Sequence, residues 1–222
     1  MKFNYPEMQT SNVGGLRVYT TPSGVHYPSI TTVLGNTMPE EKSKALKKWQ
    51  EALGTAEAAR KTKEYADSGT AVHLLAERYL NREELVKPEE SFNPLDVSKF
   101  NALKTLLNRV TEVWGQEVPL ASDLLAVAGR CDLVGVYKNK ACIIDFKTSA
   151  RLKSQKQIDD YRLQLCAYSV MHNEMFGTNI TDGVVLMTSD GGFPQEFRMD
   201  LTQYLEPLVA RIEEFYQKLE VA

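Results

Sequence analysis

The sequence predicts an α/β (α+β) fold in which a mixed central sheet is flanked by helices, with a helical extension at the N-terminus. Three features of the chain lead to this prediction. Residues 40–66 are rich in Ala, Lys and Glu, and apolar residues at helical spacing continue to residue 114. Residues 118–148 form short apolar segments with β-branched residues, which are typical of strands. Helical and strand-like segments then alternate to the end, as expected for helices packed on a sheet.

The first half of the chain is predicted to be mostly helical. Its elements are a hairpin over 16–28, a short capped helix over 28–34, one or two exposed helices over 40–66, a helix over 70–85 and a helix over 95–114. Pro22 and Gly24 provide turn geometry for the hairpin. Because glycine disfavours helix interiors, Gly35 is predicted to end the short helix and Gly69 to separate two longer ones.

The second half is predicted to supply the sheet. Its elements are strands over 118–121, 124–127, 131–137 and 141–148, a helix over 156–176, strands over 183–188 and 196–201, and a closing helix over 202–219. We expect one domain over 1–222, made of an N-terminal hairpin and helical region (1–68) and a core (69–222). Its size and its 43% hydrophobic content suit a single core.

Composition excludes several classes of protein. No apolar run is long enough to span a bilayer and the N-terminus has no apolar signal core, so we expect a cytoplasmic protein without membrane association. Cys131, Cys142 and Cys166 share no CxxC spacing, which argues against a zinc site, an iron–sulfur cluster or disulfides and favours buried free thiols. The net charge of −3 does not by itself indicate a nucleic-acid binder.

Two carboxylates interrupt the most strand-like segments. If the turn between them is centred on residues 138–139, the hairpin register places Asp132 opposite Asp145, with side chains about 5 Å apart. Lys147 follows on the same face of the strand, since alternate residues share a face. An isolated Asp-x-Lys is usually a simple salt bridge. Three polar residues on one face of apolar strands instead favour a site, because buried charges are rarely kept without a partner or a metal.

Paired carboxylates at this distance require a raised pKa or a cation. Oxygen ligands without thiolates favour a hard ion, so we expect one or two Mg²⁺ or Mn²⁺ ions. Lys147 would then orient or deprotonate an attacking water, or stabilise charge on a phosphate.

Two helical pairs and two basic zones accompany this hairpin. His73 and Glu77, and Gln164 and Tyr168, are each four residues apart and therefore lie on one helical face. Taken alone, such pairs are usually surface hydrogen bonds. The basic zones contain seven bases between residues 42 and 63, and a second cluster between residues 147 and 156 that includes Lys153. These zones suit either a phosphate-binding groove or ordinary solvated helix faces.

In this order along the chain, the motifs resemble the RecB-like branch of the PD-(D/E)xK superfamily of exonucleases, and within it the mitochondrial genome maintenance exonuclease and its bacteriophage relatives. The motifs that carry the resemblance are residues 27–34, 46–49, 69–73 with Glu77, Gly129 with Asp132, 144–149 and 164–168. The proline of the family name is replaced by Cys131, and the cysteines of iron–sulfur members are absent.

The resemblance implies a restriction-endonuclease-like core with assigned residues. Asp132, Asp145, Lys147, Gln164 and Tyr168 would be catalytic; His73, Asp132, Asp145 and the Phe146 carbonyl would bind the metal; Ser29, Thr31, Thr32 and Lys153 would bind the substrate; and Glu77 and Glu117 would be supporting acids. The substrate would be single-stranded or end-containing DNA, guided by residues 1–68. The context would be phage or genome DNA processing, with a recombination or single-strand-binding protein as a partner.

Two alternatives stay open. One is a catalytically silent DNA-binding or assembly module that keeps the nuclease fold; retention of Asp132, Asp145 and Lys147 together argues against it. The other is a restriction-type endonuclease, against which the exonuclease-like N-terminal motif counts. The chain has no phosphate-binding Gly-Lys-Ser/Thr loop, so we expect a free-standing nuclease rather than a helicase-fused one. If the chain is phage-encoded, its compartment would be the host cytoplasm.

Overall fold

The computed structural model describes residues 2–221 and contains eight strands and six α-helices within them. The strands are β1 (Gln9–Val13), β2 (Leu16–Thr20), β3 (His26–Pro28), β4 (Val110–Ser122), β5 (Val127–Tyr137), β6 (Lys140–Ser149), β7 (Asp182–Ser189) and β8 (Pro194–Asp200). The helices are α1 (Ile30–Asn36), α2 (Glu40–Leu53), α3 (Thr55–Asn81), α4 (Pro94–Leu107), α5 (Asp159–Phe176) and α6 (Leu205–Val221). Short 3-10 turns precede α5 and α6.

The central sheet has the strand order β4-β5-β6-β7-β8. Its pairs are antiparallel except β6 and β7, which are parallel and joined by the crossover helix α5. The predicted mixed sheet flanked by helices is therefore confirmed. Strand β4 lies at an edge, which explains how it accommodates Pro119 within its length.

Helices cover both faces of this sheet. On one face, α1, α5 and α6 bury residues such as Ile30, Leu165 and Phe215 against the sheet. On the other face, α3 and α4 bury residues such as Leu75 and Phe100 against β5, β6 and β7. Each strand of the middle of the sheet is thus apolar on both sides, and a polar group there must be satisfied by specific partners.

A small antiparallel sheet, β1-β2-β3, stands before the helices. The predicted hairpin corresponds to β2 and β3. Strand β1 was not predicted, because all five of its residues are exposed. Four of them are polar and the fifth is a single valine, so apolar side chains do not alternate along it. Ser29, just after β3, bridges to Ala128 of β5 and so attaches this small sheet to the central one.

The predicted helix break at Gly69 is wrong. Gly69 lies inside α3, which runs without interruption from Thr55 to Asn81. The cost of glycine in a helix, about 1 kcal/mol, is small against the packing of the second half of α3. The absent side chain also lets the helix pass close to β6, since a Cβ at Gly69 would lie 3.6 Å from Thr148 Oγ1. The predicted boundary between residues 68 and 69 therefore falls within one helix.

Three other boundaries differ from the prediction. Gly35 does not end α1, which continues to Asn36. The helix predicted over 95–114 ends at Leu107, and β4 begins at Val110 because the β-branched and aromatic residues there pair with β5. Residues 124–126 form a turn rather than a strand, with Ala126 at a φ of 52°.

Gly135 allows β4 to bend across β5. A Cβ at this position would lie 2.2 Å from the backbone carbonyl oxygen of Glu112, at a shift in the β4–β5 register. Since backbone cannot move aside as a side chain does, we expect Gly135→Ala to lower the free energy of unfolding by about 3 kcal/mol. Chemical denaturation followed by circular dichroism would measure this loss.

Gly35→Ala is the matched control. It lies in α1 with no atom within 4 Å of its added Cβ, so we expect it to stabilise the protein by about 0.5–1 kcal/mol. Equal effects of the two substitutions would contradict the close approach at Gly135.

Candidate active site

The site forms where β5 and β6 separate. Their paired residues run from Tyr137–Lys140 to Leu133–Ile144, the register that the turn at residues 138–139 predicts. Beyond Leu133 the ladder stops, and the Asp132 carboxylate accepts a hydrogen bond from the Phe146 backbone N–H at 2.7 Å. Asp132 therefore takes the place of a strand carbonyl, which fixes its side chain in the gap between the two strands.

Asp145 and Lys147 form an ion pair in this gap. Lys147 Nζ lies 2.5 Å from Asp145 Oδ2, and the Asp145 side chain has no solvent exposure. Apart from this ion pair, neither Asp145 oxygen has a hydrogen-bond partner in the described residues. Burial raises the pKa of Asp145 above its ordinary range and the charge of Asp132 raises it further, although Lys147 opposes both. A buried carboxylate with unused acceptor capacity is thus present at the predicted position.

The charged form of Lys147 is favoured. Burial acts to lower its pKa, but the neighbouring carboxylates of Asp145 and Asp132 outweigh burial and raise it. The Lys147 ammonium also lies 5.2 Å from the centre of the Tyr161 ring, a cation–π contact. At neutral pH Lys147 is therefore a positively charged hydrogen-bond donor.

Two further side chains converge beside Asp132. Ligand atoms of His73, Glu117 and Asp132 all lie within 4.8 Å of one another, and we call these residues the metal-ligand group. His73 Nε2 lies 2.8 Å from the Phe146 carbonyl oxygen, while His73 Nδ1 lies 3.7 Å from Asp132 Oδ2. With Nε2 donating to that carbonyl, Nδ1 is the imidazole nitrogen left to face an ion.

Glu117 belongs to this group through the edge strand. It lies between Gln116, which pairs with Leu133, and Val118, which pairs with Cys131, so it stands opposite Asp132. Its φ of 49° is unusual for a residue with a side chain and marks a local distortion of β4. Burial and the charge of Asp132 raise the pKa of Glu117 to about 7.

This arrangement fits a divalent cation. Two carboxylates and an imidazole converge at ligand distance, and the unsatisfied oxygens of Asp145 lie in the same gap. Carboxylates with raised pKa values lose their protons readily when a cation replaces the missing counter-charge. Glu77, four residues after His73 on α3, is not among the three convergent ligands.

The other predicted residues lie around this centre. Gln164 and Tyr168 are both buried on α5, and Gln164 Nε2 donates to the Tyr168 hydroxyl at 3.1 Å. The Tyr168 ring packs against Gly129 of β5, where a Cβ would lie 2.7 Å from it. The pair thus supports the strand that carries Asp132.

The predicted substrate-binding residues lie on two sides of the site. Ser29 is buried and caps α1, accepting a hydrogen bond from the Thr32 N–H, whereas Thr31 is exposed and Thr32 half-buried. Lys153 follows β6, where both its backbone N–H and carbonyl are hydrogen-bonded to the Gln195 side chain.

Glu117 was expected only as a supporting acid, and Tyr161 was not among the predicted site residues. Glu117 comes opposite Asp132 only because β4 pairs with β5. This pairing could not be predicted while residues 108–114 were expected to be helical. Tyr161 lies one turn before Gln164 on α5, so its face was predictable although its contact with Lys147 was not.

A sequence profile of the PD-(D/E)XK nuclease superfamily matches residues 40–194, which is more than half of the chain and includes His73, Glu117, Asp132, Asp145 and Lys147. The chain belongs to this superfamily. Nucleases of the PD-(D/E)XK superfamily use divalent metal ions, in agreement with the convergent acidic site. Among residues 2–221, every helix is too short or too polar to cross a bilayer.

The chain is similar to Mitochondrial genome maintenance exonuclease 1 of three vertebrates. It is 28% identical to the Mus musculus protein over 202 residues, covering 86% of this chain and 59% of that protein. The Homo sapiens protein is 28% identical, over 86% of this chain and 58% of its own length. The Xenopus tropicalis protein is 26% identical, over 87% of this chain and 58% of its own length. The chain therefore spans less than two thirds of these relatives.

One solved structure, described as a putative exonuclease from Eubacterium rectale, aligns with a TM-score of 0.49 at 10% identity. The alignment covers 69% of this chain and 66% of the other.

Proposed function

We propose that this member of the nuclease superfamily is a Mg²⁺- or Mn²⁺-dependent DNA exonuclease. Its substrate would be single-stranded or end-containing DNA, in phage or genome DNA processing. The observation that carries the proposal is the buried Asp145–Lys147 ion pair beside the metal-ligand group. The similarity to relatives that are named exonucleases supports the exonuclease part.

The proposed roles follow from the contacts. Asp132, Glu117, His73 and Asp145 would hold one or two ions, with the Phe146 carbonyl as a further ligand. A bound divalent ion would neutralise charge on the phosphate and lower the pKa of the attacking water. Lys147, held charged by Asp145, would donate a hydrogen bond to that water or to a phosphate oxygen, which is the donor role rather than the base role.

Gln164 and Tyr168 would fix the strand that carries Asp132, as their packing against Gly129 suggests. Thr31, Thr32 and Lys153 would bind backbone phosphates on either side of the centre.

The basic residues of α2 and α3 contribute less free charge than their number indicates. Of the seven between residues 42 and 63, five pair with carboxylates, in part within the same helix. In the described part of the chain, only Lys47 and Lys48 of this zone have no carboxylate within 4 Å. These two would be the groups of the zone that meet DNA phosphates.

The test is a time course on single-stranded DNA of identical sequence in linear and circular form, with Mn²⁺, Mg²⁺ or EDTA. We expect the linear strand to be degraded progressively with either metal, the circle to survive, and EDTA to stop the reaction. Strands labelled at each end would show the direction of attack. DNA binding without cleavage would indicate the silent module, and discrete fragments or a cut circle would indicate an endonuclease.

A further inference from the structure

An aromatic cleft lies beside Lys147, whose ammonium is 5.2 Å from the ring centre of the lining residue Tyr161. Its volume is about 360 Å³, and it is lined by side chains from α2, α3, α4, the end of β6 and the start of α5. Three of them are the aromatic rings of Trp49, Tyr65 and Tyr161, and Lys99, Lys153 and Thr148 stand among these rings. Apart from Lys153, the lining residues have no role in the function proposed above.

The polar ends of these aromatic side chains make no hydrogen bond to other protein groups. Within residues 2–221, the Trp49 indole N–H and the Tyr65 and Tyr161 hydroxyls have no hydrogen-bond partner, although Trp49 and Tyr161 are half-buried. Aromatic residues that pack only as core usually bury completely or satisfy these groups. Rings that line an open cleft and keep free donors are suited to a flat ligand that both stacks and accepts hydrogen bonds.

The charge of the cleft favours an anionic chain next to that ligand. No carboxylate lines it. Lys99 is neutralised by Asp190, whose Oδ1 lies 2.7 Å from Lys99 Nζ, but Lys153 has no carboxylate within 4 Å among the residues described. A net positive aromatic surface is the combination by which proteins bind single-stranded nucleic acid without reading its sequence.

Tyr161 connects the cleft with the proposed catalytic lysine. Its ring lines the cleft and also lies 5.2 Å from Lys147 Nζ. A base stacked in the cleft would therefore have its own backbone phosphate close to Lys147. We infer that the aromatic cleft binds one unpaired nucleobase of the DNA strand, next to the phosphate that is cleaved. This inference rests on the proposed nuclease function and deepens it, since a base inside a duplex has both faces covered and must be extruded first.

The two tryptophans of the chain allow a direct test. Trp114 lies on β4, away from the cleft, and Trp114→Phe leaves Trp49 as the only tryptophan. The titrant is oligo(dT) in Ca²⁺, with the DNA shown by gel to stay intact. We expect it to quench the emission of this variant, and an abasic oligomer of the same length to leave it unchanged. The matched control Trp49→Phe, which retains only Trp114, should show no quenching with either oligomer.

Affinity gives a second measurement. When the aromatic side chain that stacks on a base is removed, Kd rises by about 5- to 150-fold. We expect Trp49→Ala to weaken binding of oligo(dT) by a factor in this range in fluorescence anisotropy, and to leave binding of the abasic oligomer unchanged. Equal weakening for both oligomers would show a structural role for Trp49, and no weakening for either would show that no base stacks there; each result overturns the inference.

The two proposals fail differently. If the wild-type protein degrades linear DNA with Mn²⁺ but Trp49 is not quenched at saturation, only the base-binding inference is overturned. If Trp49 is quenched by oligo(dT) but no DNA is cleaved with Mn²⁺ or Mg²⁺, the nuclease proposal fails while the cleft retains its ligand.

Discussion

Lys147→Met is expected to reduce metal-dependent DNA cleavage by about a hundred- to a thousandfold, the loss typical for removing a preorganised donor to a developing charge. The ammonium of Lys147 is the positive group nearest the buried Asp145 carboxylate, at 2.5 Å. Methionine keeps much of the length and apolar volume of the stem, so the packing against Tyr161 is largely preserved. Initial rates on end-labelled DNA with Mn²⁺ measure the effect.

The same substitution leaves Asp145 buried without its partner. Breaking a buried pair on one side costs about 3–5 kcal/mol, so the metal-free variant should also unfold at lower temperature. Lys140→Met is the matched control, because Lys140 pairs with Asp182 at 3.1 Å at the opposite, exposed end of the same strand. We expect it to change neither property appreciably. Cleavage that persists in Lys147→Met at the wild-type rate would refute the assigned role.

Glu117→Gln is expected to weaken Mn²⁺ binding by roughly 10- to 100-fold, the scale found when even an outer partner of a metal site is removed. It should also remove part of the pH dependence of stability. The glutamine side chain keeps the shape of the Glu117 carboxylate but not its charge. Affinity for the ion in the wild-type protein should rise with pH through about 7, where Glu117 loses its proton. Isothermal titration calorimetry at several pH values measures this, with Glu112→Gln, at an exposed position of the same strand, as the control that keeps wild-type affinity.

The sign of the stability effect follows from the raised pKa. Below about 4.5 Glu117 is protonated in both folded and unfolded chains, and its titration contributes nothing. Between about 4.5 and about 7 the unfolded chain releases the proton first, so the metal-free fold loses stability as pH rises. At roughly 1.4 kcal/mol per pKa unit, the loss from this half-buried group is on the order of 2–3 kcal/mol.

Other groups titrate in the same range, so the useful quantity is the difference between Glu117→Gln and the wild-type protein. We expect the variant to be the more stable of the two at pH 8 without metal, and to gain less stability than the wild type when Mn²⁺ is added. A difference that does not change between pH 4 and pH 8 would contradict the assignment.

The centre of the site was predictable because it depends on local geometry. The short turn after Tyr137 fixes the register of β5 and β6, and the alternation of side chains then places Asp132, Asp145 and Lys147 together. Local geometry did not reveal that the strands separate there. That separation depends on the hydrogen bond from the Phe146 N–H to Asp132, a tertiary contact with no signal in residue spacing.

The other differences have a common physical origin. Gly69 was predicted to break a helix from its intrinsic propensity, yet packing against β6 decides its conformation. Residues 110–113 have valines at a spacing that also suits a helix, and only pairing with β5 makes them a strand. Glu117 enters the metal-ligand group through that same pairing. Because of one wrong helix boundary, Glu117 was predicted only as a supporting acid and not as a ligand.

Because α3 continues through Gly69, it fixes the distance between the aromatic cleft and the metal-ligand group. Tyr65 of the aromatic cleft and His73 of the metal-ligand group are eight residues apart on this single helix, about 12 Å along its axis. Because one continuous helix carries both residues, a strand bound at Tyr65 would lie at a fixed distance from His73. Inserting a single residue between the two would rotate one by about 100° relative to the other and would uncouple the place where the strand is held from the place where it is cut.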